Sequence, residues 1–281
     1  MIAIRSLAVP VSVLVIAAGG CSHDATFTEP IPPNAAIHWV EAVPDTMQED
    51  MHTIDMASNA GLYDADFRGS TMFYEGIQAG SRHIRIFNSS QDVTIAQQIM
   101  VDTTIDFAAT DSVTFIHMGF ARSGSTPARQ VKLFTDKAPD PGAGSVGIRV
   151  INAGAGLANV DAFLIRHPQD TAALGTPFAT NVAYGATSGY TAAPADTGTQ
   201  TLQLVVTATG TTTPIIARVS FPVGQAADTV TRVNPIAGAR IVGSTMTAVF
   251  VPRSVAGSMA PQAFTTPGAV ILVDRRPPNK Y

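Results

Sequence analysis

The chain has 281 residues, a net charge of −4 and only 14% charged side chains, so it offers no basic patch for nucleic acid and no acidic tail for a cationic partner. At roughly 100 to 200 residues per domain, the length predicts two domains. The 46% hydrophobic content is enough to fill their cores, and the abundance of Ala, Val, Gly, Pro and Thr favours strands and turns over long helices.

The first twenty residues read as an address. Arg5 supplies the positive region, Leu7 to Ala17 the apolar run, and Ala18-Gly19-Gly20 the small residues of a signal peptide over 1–20. That run is shorter than the roughly 20 residues a spanning helix needs. Cys21 is the only cysteine, so no internal disulfide can form. Small residues directly before one cysteine resemble the lipobox of bacterial lipoproteins, with Ala18 where Leu is usual. The resemblance implies a lipidated N-terminus at Cys21, a membrane partner reached through its acyl chains, and, with Ser22 rather than Asp next, the outer membrane. The plain alternative is a signal peptide whose cysteine is incidental. Residues 21–35 read as anchor and tether, since Pro30, Pro32 and Pro33 favour extended backbone.

Beyond the tether, short apolar and alternating runs predict strands. Ala36 to Ala42 opens the series, His83 to Ile86 alternates, Ser112 to Met118 is apolar on both sides and reads as deeply buried, and Val131 to Asp136 closes the first copy. Lys137 to Gly144, rich in Pro and Gly, marks a boundary. A second copy opens with Gly147 to Ala153, 111 residues after its counterpart. Thr201 to Thr207 and Ile215 to Phe221 form an expected hairpin, Met246 to Val251 and Ala269 to Asp274 supply later strands, and the extra length is expected in loops such as Arg166 to Pro177 and Ser254 to Pro267.

The pattern predicts an all-β protein of two tandem antiparallel, immunoglobulin-like β-sandwich domains over 36–138 and 146–276, joined by a linker over 139–145 and ending in a tail over 277–281. A two-sheet barrel is the alternative. Ile148-Arg149-Val150-Ile151-Asn152-Ala153 and Ile37 to Ala42, with Ile54-Asp55 and Val160-Asp161, Tyr184-Gly185 with Ser188-Gly189-Tyr190, and the closing Asp136 and Asp274, resemble the bacterial family called domain of unknown function 4397. The resemblance runs from about Ala36 to Arg275. It departs where Gly154-Ala155-Gly156 replaces Val43-Pro44-Asp45 and where Glu75 follows Tyr74 while Gly185 follows Tyr184. It implies secreted or surface proteins built of tandem sandwiches, and no catalytic residue.

Individual residues carry weak chemical signals. Asp64, Asp66 and Glu75 occupy positions one, three and twelve of a calcium loop, but Arg68 stands at position five, where an oxygen is required. The plain expectation is a polar loop whose carboxylates pair with Arg68 or backbone donors. Gly142-Ala143-Gly144-Ser145-Val146-Gly147 spells a dinucleotide fingerprint but precedes a strand, so it reads as a linker. His23, His38, His52, His83, His117 and His167 lack close metal-ligand spacing; His117 reads as a hydrogen-bonded core residue, while His38 and His83 are placed on strands that can face solvent. No Gly-x-Ser-x-Gly elbow occurs. Asp55 and Asp161 are expected to satisfy turn amides in each domain. Trp39, Tyr63, Phe73, Tyr74, Tyr184 and Tyr190 are candidates for a binding platform, with the core as the plainer destination.

These readings predict a non-enzymatic, lipid-anchored cell-envelope protein acting as spacer or protein-interaction module, with no cofactor and no catalytic or metal residues. A glycan-binding module with a polysaccharide partner is the alternative, and a cryptic hydrolase the third.

Overall fold

The computed structural model describes residues 32–56, 60–166 and 174–281. The expected signal peptide, Cys21, His23 and His167 lie outside the described residues. The first half contains β1 (Asn34–Ala42), β2 (Glu49–Thr53), β3 (Gly61–Ala65), β4 (Glu75–Gln78), β5 (Gly80–Asn88), a single helical turn α1 (Val93–Ala96), β6 (Ile99–Phe107), β7 (Ser112–Met118) and β8 (Gln130–Thr135). The second contains β9 (Ser145–Asn152), β10 (Val160–Ile165), β11 (Ala179–Val182), β12 (Thr191–Pro194), β13 (Gln203–Ala208), β14 (Ile215–Ser220), β15 (Thr245–Val251) and β16 (Gly268–Arg275).

The two halves repeat one topology. Sheet orders β4-β1-β7-β8 and β3-β2-β5-β6 in the first half become β12-β9-β15-β16 and β11-β10-β13-β14 in the second. The protein is therefore all-β, with two sandwich halves, as the short alternating runs predict. It is not wholly antiparallel: β1 runs parallel to β7 and β9 parallel to β15. Parallel neighbours need a long crossover, and here the intervening chain travels through the facing sheet before returning.

Alternation along the central strands explains the sequence pattern. In β1, Ile37 and Trp39 point into the first sandwich, where Trp39 packs on Phe115 with ring centroids 4.9 Å apart. Val40 and Ala42 point the other way, into a cluster shared with Ile116 and Met118 of β7 and with Ile151, Val249 and Leu272 of the second half. Likewise Ile148 and Val150 of β9 fill the second sandwich with Met246, Ala248 and Phe250 of β15. The sheets containing β1 and β9 are thus covered on both faces, which is why Ser112–Met118 and Thr245–Val251 read as continuous apolar runs rather than alternating ones. The halves meet through a third core instead of hanging from a hinge alone.

The linker is a turn with fixed partners. Gly142 and Gly144 adopt φ of 87° and 70°, Thr245 Oγ1 donates to Pro139 O at 3.3 Å and Arg275 pairs with Asp140 at 2.9 Å. A strand follows it, not a helix, so the glycines build no phosphate cradle. The second half's largest insertion is 221–244, between β14 and β15, where the first half needs only 108–111. The sequence expectation names 166–177 and 254–267 among the longer loops; the second lies in the connection 252–267, which is longer than its counterpart 119–129, while 221–244 is not among those named.

Candidate functional site

The junction between the halves is built from two equivalent polar groups buried in an otherwise apolar layer. His38 and Arg149 hold matching positions, each paired in register with a threonine: His38 with Thr114, Arg149 with Thr247. Asp136 follows β8 and Asp274 lies in β16. In the first half Tyr74 Oη donates to Asp136 at 2.9 Å and Thr114 Oγ1 does so at 2.7 Å. In the second, Tyr190 Oη at 3.0 Å and Thr247 Oγ1 donate to Asp274.

The cations are exchanged across the junction. The Arg149 guanidinium donates to Asp136 and, through Nε, to Thr247 at 2.8 Å, while lying 4.6 Å over the Tyr190 ring. His38 stacks on Tyr74 at 3.8 Å, bonds through Nδ1 to Thr71 O at 3.0 Å, and sets Nε2 3.7 Å from Asp274. Each half's aspartate faces the other half's base, the reciprocal pattern of a two-fold interface, here within one chain. Structural equivalence therefore links Tyr74 with Tyr190, each directly before an edge strand, where the sequence resemblance aligned Tyr74 with Tyr184. His38 is fully buried rather than solvent-facing.

Burial sets the charges. It pushes His38 down to about 4, outweighing the bond to Thr71 and the pull of Asp136. It pushes Asp274 up to about 7 despite the nearby Arg149. Tyr74 and Tyr190 are raised by burial and by the neighbouring aspartates, so both remain hydroxyl donors. Burial alone lowers Arg149, but Asp136 and Asp274 raise it further, and the guanidinium stays charged.

Arg68 is the second bridge, with partners other than the carboxylates expected for it. Its side chain crosses to the second half, donating to Pro252 O at 2.8 Å and Thr266 O at 2.6 Å and covering the Phe264 ring at 4.4 Å. Burial lowers it to about 10. The calcium-loop residues do not converge. Asp64 accepts from Ser89 Oγ, and Glu75 accepts from Gly61 N at 3.0 Å. Of the two kinds of partner expected for these carboxylates, a backbone donor serves Glu75, while Arg68 is drawn into the junction instead.

Asp161 does satisfy turn amides, accepting from Asn181 N and Gly210 N, both at 2.8 Å. Asp55 accepts from His83 N at 3.2 Å and pairs with Arg82 at 3.3 Å. The structural counterpart of Asp161 is Asp50, which accepts from Asp64 N at 2.7 Å. Asp64 and Asn181 share the left-handed conformation, with φ of 48° and 51°.

Two further features were not evident in the sequence. Glu41 at the end of β1, Glu49 at the start of β2 and His117 in β7 meet inside the first sandwich, all fully buried. His117 Nδ1 lies 2.7 Å from Glu49 Oε2 and 3.1 Å from Glu41 Oε2. Burial lowers the imidazole, but the two carboxylates raise it to about 10. Near Arg68, a cavity of about 740 Å³ opens at the seam, lined by Phe120 of the first half and by Leu157, Pro252, Arg253 and Ser254 of the second. The aromatic candidates form no platform: Trp39 is in the core, Phe73 packs on the second sandwich, Tyr74 and Tyr190 serve the junction, Tyr184 joins the shared core, and Tyr63 is half exposed.

Among the described residues no helix is long and apolar enough to cross a membrane. Residues 35–163 match the model of a family described as Domain of unknown function (DUF4397), covering the first half and running into β10. No curated protein matches the sequence. Among solved structures, a chain described as "Putative cell adhesion protein" from Parabacteroides distasonis ATCC 8503 is 7% identical, with a TM-score of 0.20, over 87% of this chain and 99% of that one.

Proposed function

From the match of residues 35–163 to the DUF4397 family and from the stacked sheets, we propose a non-enzymatic protein of the cell envelope that acts as a stiff spacer or protein-interaction module. The observation that carries this reading is the shared core between the halves, where Val40, Ile116 and Met118 pack with Ile151, Val249 and Leu272. A large apolar interface suppresses the relative motion that small polar domain contacts allow, so the two sandwiches project as one body. Cys21 supports attachment by acyl chains, each buried CH₂ contributing about 0.8 kcal/mol, and Ser22 supports the outer membrane. Cell fractionation of Cys21→Ser tests the anchor: the variant is expected in the soluble fraction, and a variant that sediments with membranes as wild type does sinks it.

The seam cavity favours a second reading, a polysaccharide-binding module. Phe120 lines it with an aromatic ring and Arg253 with a cationic donor, in a volume within the usual range of ligand pockets. Retention on an immobilised acidic polysaccharide that survives Arg253→Ala unchanged argues against it.

A further inference from the structure

We propose that Glu41, Glu49 and His117 form a closed binding site for a divalent transition-metal ion of the zinc class, tying together the two sheets of the first sandwich. The three side chains come from three strands, β1 and β7 in one sheet and β2 in the facing one. They bring one ligand atom each to within 4.8 Å of one another. Imidazole nitrogen and carboxylate oxygen are the donors zinc accepts, and imidazole disfavours calcium and magnesium.

The donor inventory fits a four-coordinate ion. Glu41 Oε1 is occupied, accepting from Val43 N at 2.6 Å, which orients the carboxylate and leaves Oε2 toward His117. Glu49 Oε1, by contrast, is buried without a hydrogen-bond partner. Glu41 through one oxygen, His117 through Nδ1 and Glu49 through both oxygens supply four ligands, and the two carboxylates balance a doubly positive ion. Hydrogen bonding within the triad leaves Glu49 Oε1 unmatched, an unfavourable state for a buried polar cluster that coordination through both Glu49 oxygens removes. Full burial makes this a structural site, with no open position for substrate.

The second half shows that the fold does not need these charges. Glu41 pairs in register with His117, and the equivalent pair is Asn152 with Phe250. Val160, which opens β10, stands where Glu49 opens β2. There Asn152 Nδ2 donates to Val182 O at 2.9 Å, its Oδ1 accepts from Gly154 N at 2.9 Å, and Val160 and Phe250 join the apolar core. The same position is built once from an amide and apolar groups and once from two acids and an imidazole. Buried ionic groups are an inefficient source of stability compared with apolar packing, so the first half's choice needs another cause, and an ion supplies it.

The test uses the full chain carrying Cys21→Ser, stripped with a chelator and titrated with Zn²⁺ or Ca²⁺ by calorimetry, with thermal unfolding in parallel. One equivalent of Zn²⁺ at micromolar affinity or tighter, a raised midpoint and no Ca²⁺ uptake are expected. Glu49→Gln should weaken zinc binding by about 100-fold. Combining Glu41→Asn, Glu49→Val and His117→Phe, which installs the second half's residues, should abolish binding while keeping the β-sheet circular dichroism. Should that combination not fold, Glu49→Gln alone decides. No zinc uptake by the parent, or equal affinity in parent and Glu49→Gln, overturns the proposal; the latter places the ion on another histidine.

Discussion

Arg149 of the second half gives its guanidinium to Asp136 of the first, while Asp274 of the second faces His38 of the first. The first of these pairs is buried and charge-assisted, and removing one partner strands the other in a low dielectric, which typically costs 3–5 kcal/mol. Arg149→Met is therefore expected to destabilise the chain by roughly 3–5 kcal/mol, whereas Arg149→Met with Asp136→Asn should cost clearly less than the sum of the single changes. Urea unfolding of the four proteins measures the coupling; additivity within about 0.5 kcal/mol means the pair is not coupled.

Arg68 combines a bridging side chain with a backbone that ordinary residues avoid, φ being 73°. Truncation removes two carbonyl contacts and the stacking on Phe264. Glycine truncates the side chain equally but accepts the left-handed conformation at no steric cost. Arg68→Ala should thus be less stable than Arg68→Gly by about 1 kcal/mol, with both below wild type. Equal stability of the two variants in thermal unfolding shows that the backbone at this position is relaxed.

The long central strands were legible because apolar residues point to both of their faces, and Ser112–Met118 and Thr245–Val251 are buried almost end to end. Edge strands such as β4, Glu75-Gly76-Ile77-Gln78, and β12, Thr191-Ala192-Ala193-Pro194, carry little alternation, since one side of their ladder is open and a single buried residue suffices. The junction was written in the sequence as a base inside each opening strand, His38 and Arg149. Its meaning depended on which aspartate each base would meet, and that is decided by how the sheets stack. Glu41 and Glu49 sit at strand ends, where acids are usually solvated; only the fold brings His117 between them. Equivalence by spacing also slipped where bulges and loop lengths differ, which is how Asp55 rather than Asp50 was matched to Asp161.

Asp274 gives the junction a defined pH dependence. Its side chain is fully buried among Arg149, Asp136, His38, Tyr190 and Tyr74, and burial raises it to about 7 from the usual 3.8. A carboxyl that binds its proton more tightly when folded stabilises the fold fully below about pH 4. That contribution is lost as pH rises to about 7, and by the measure of 1.36 kcal/mol per pH unit it amounts to roughly 4 kcal/mol. Asp274→Asn removes this titration while keeping an acceptor for Tyr190 and Thr247. Buried His38, lowered to about 4, titrates in the opposite sense over an overlapping range, and His117, raised to about 10, adds a loss of its own above about pH 6.5, so wild-type stability alone does not report Asp274. The difference between wild type and Asp274→Asn isolates the carboxyl. Wild type should lose ground to the variant by several kcal/mol between pH 4.5 and pH 8 in denaturant unfolding. A difference that stays constant over this range means that Asp274 is ionised throughout, held by Arg149 against the cost of burial.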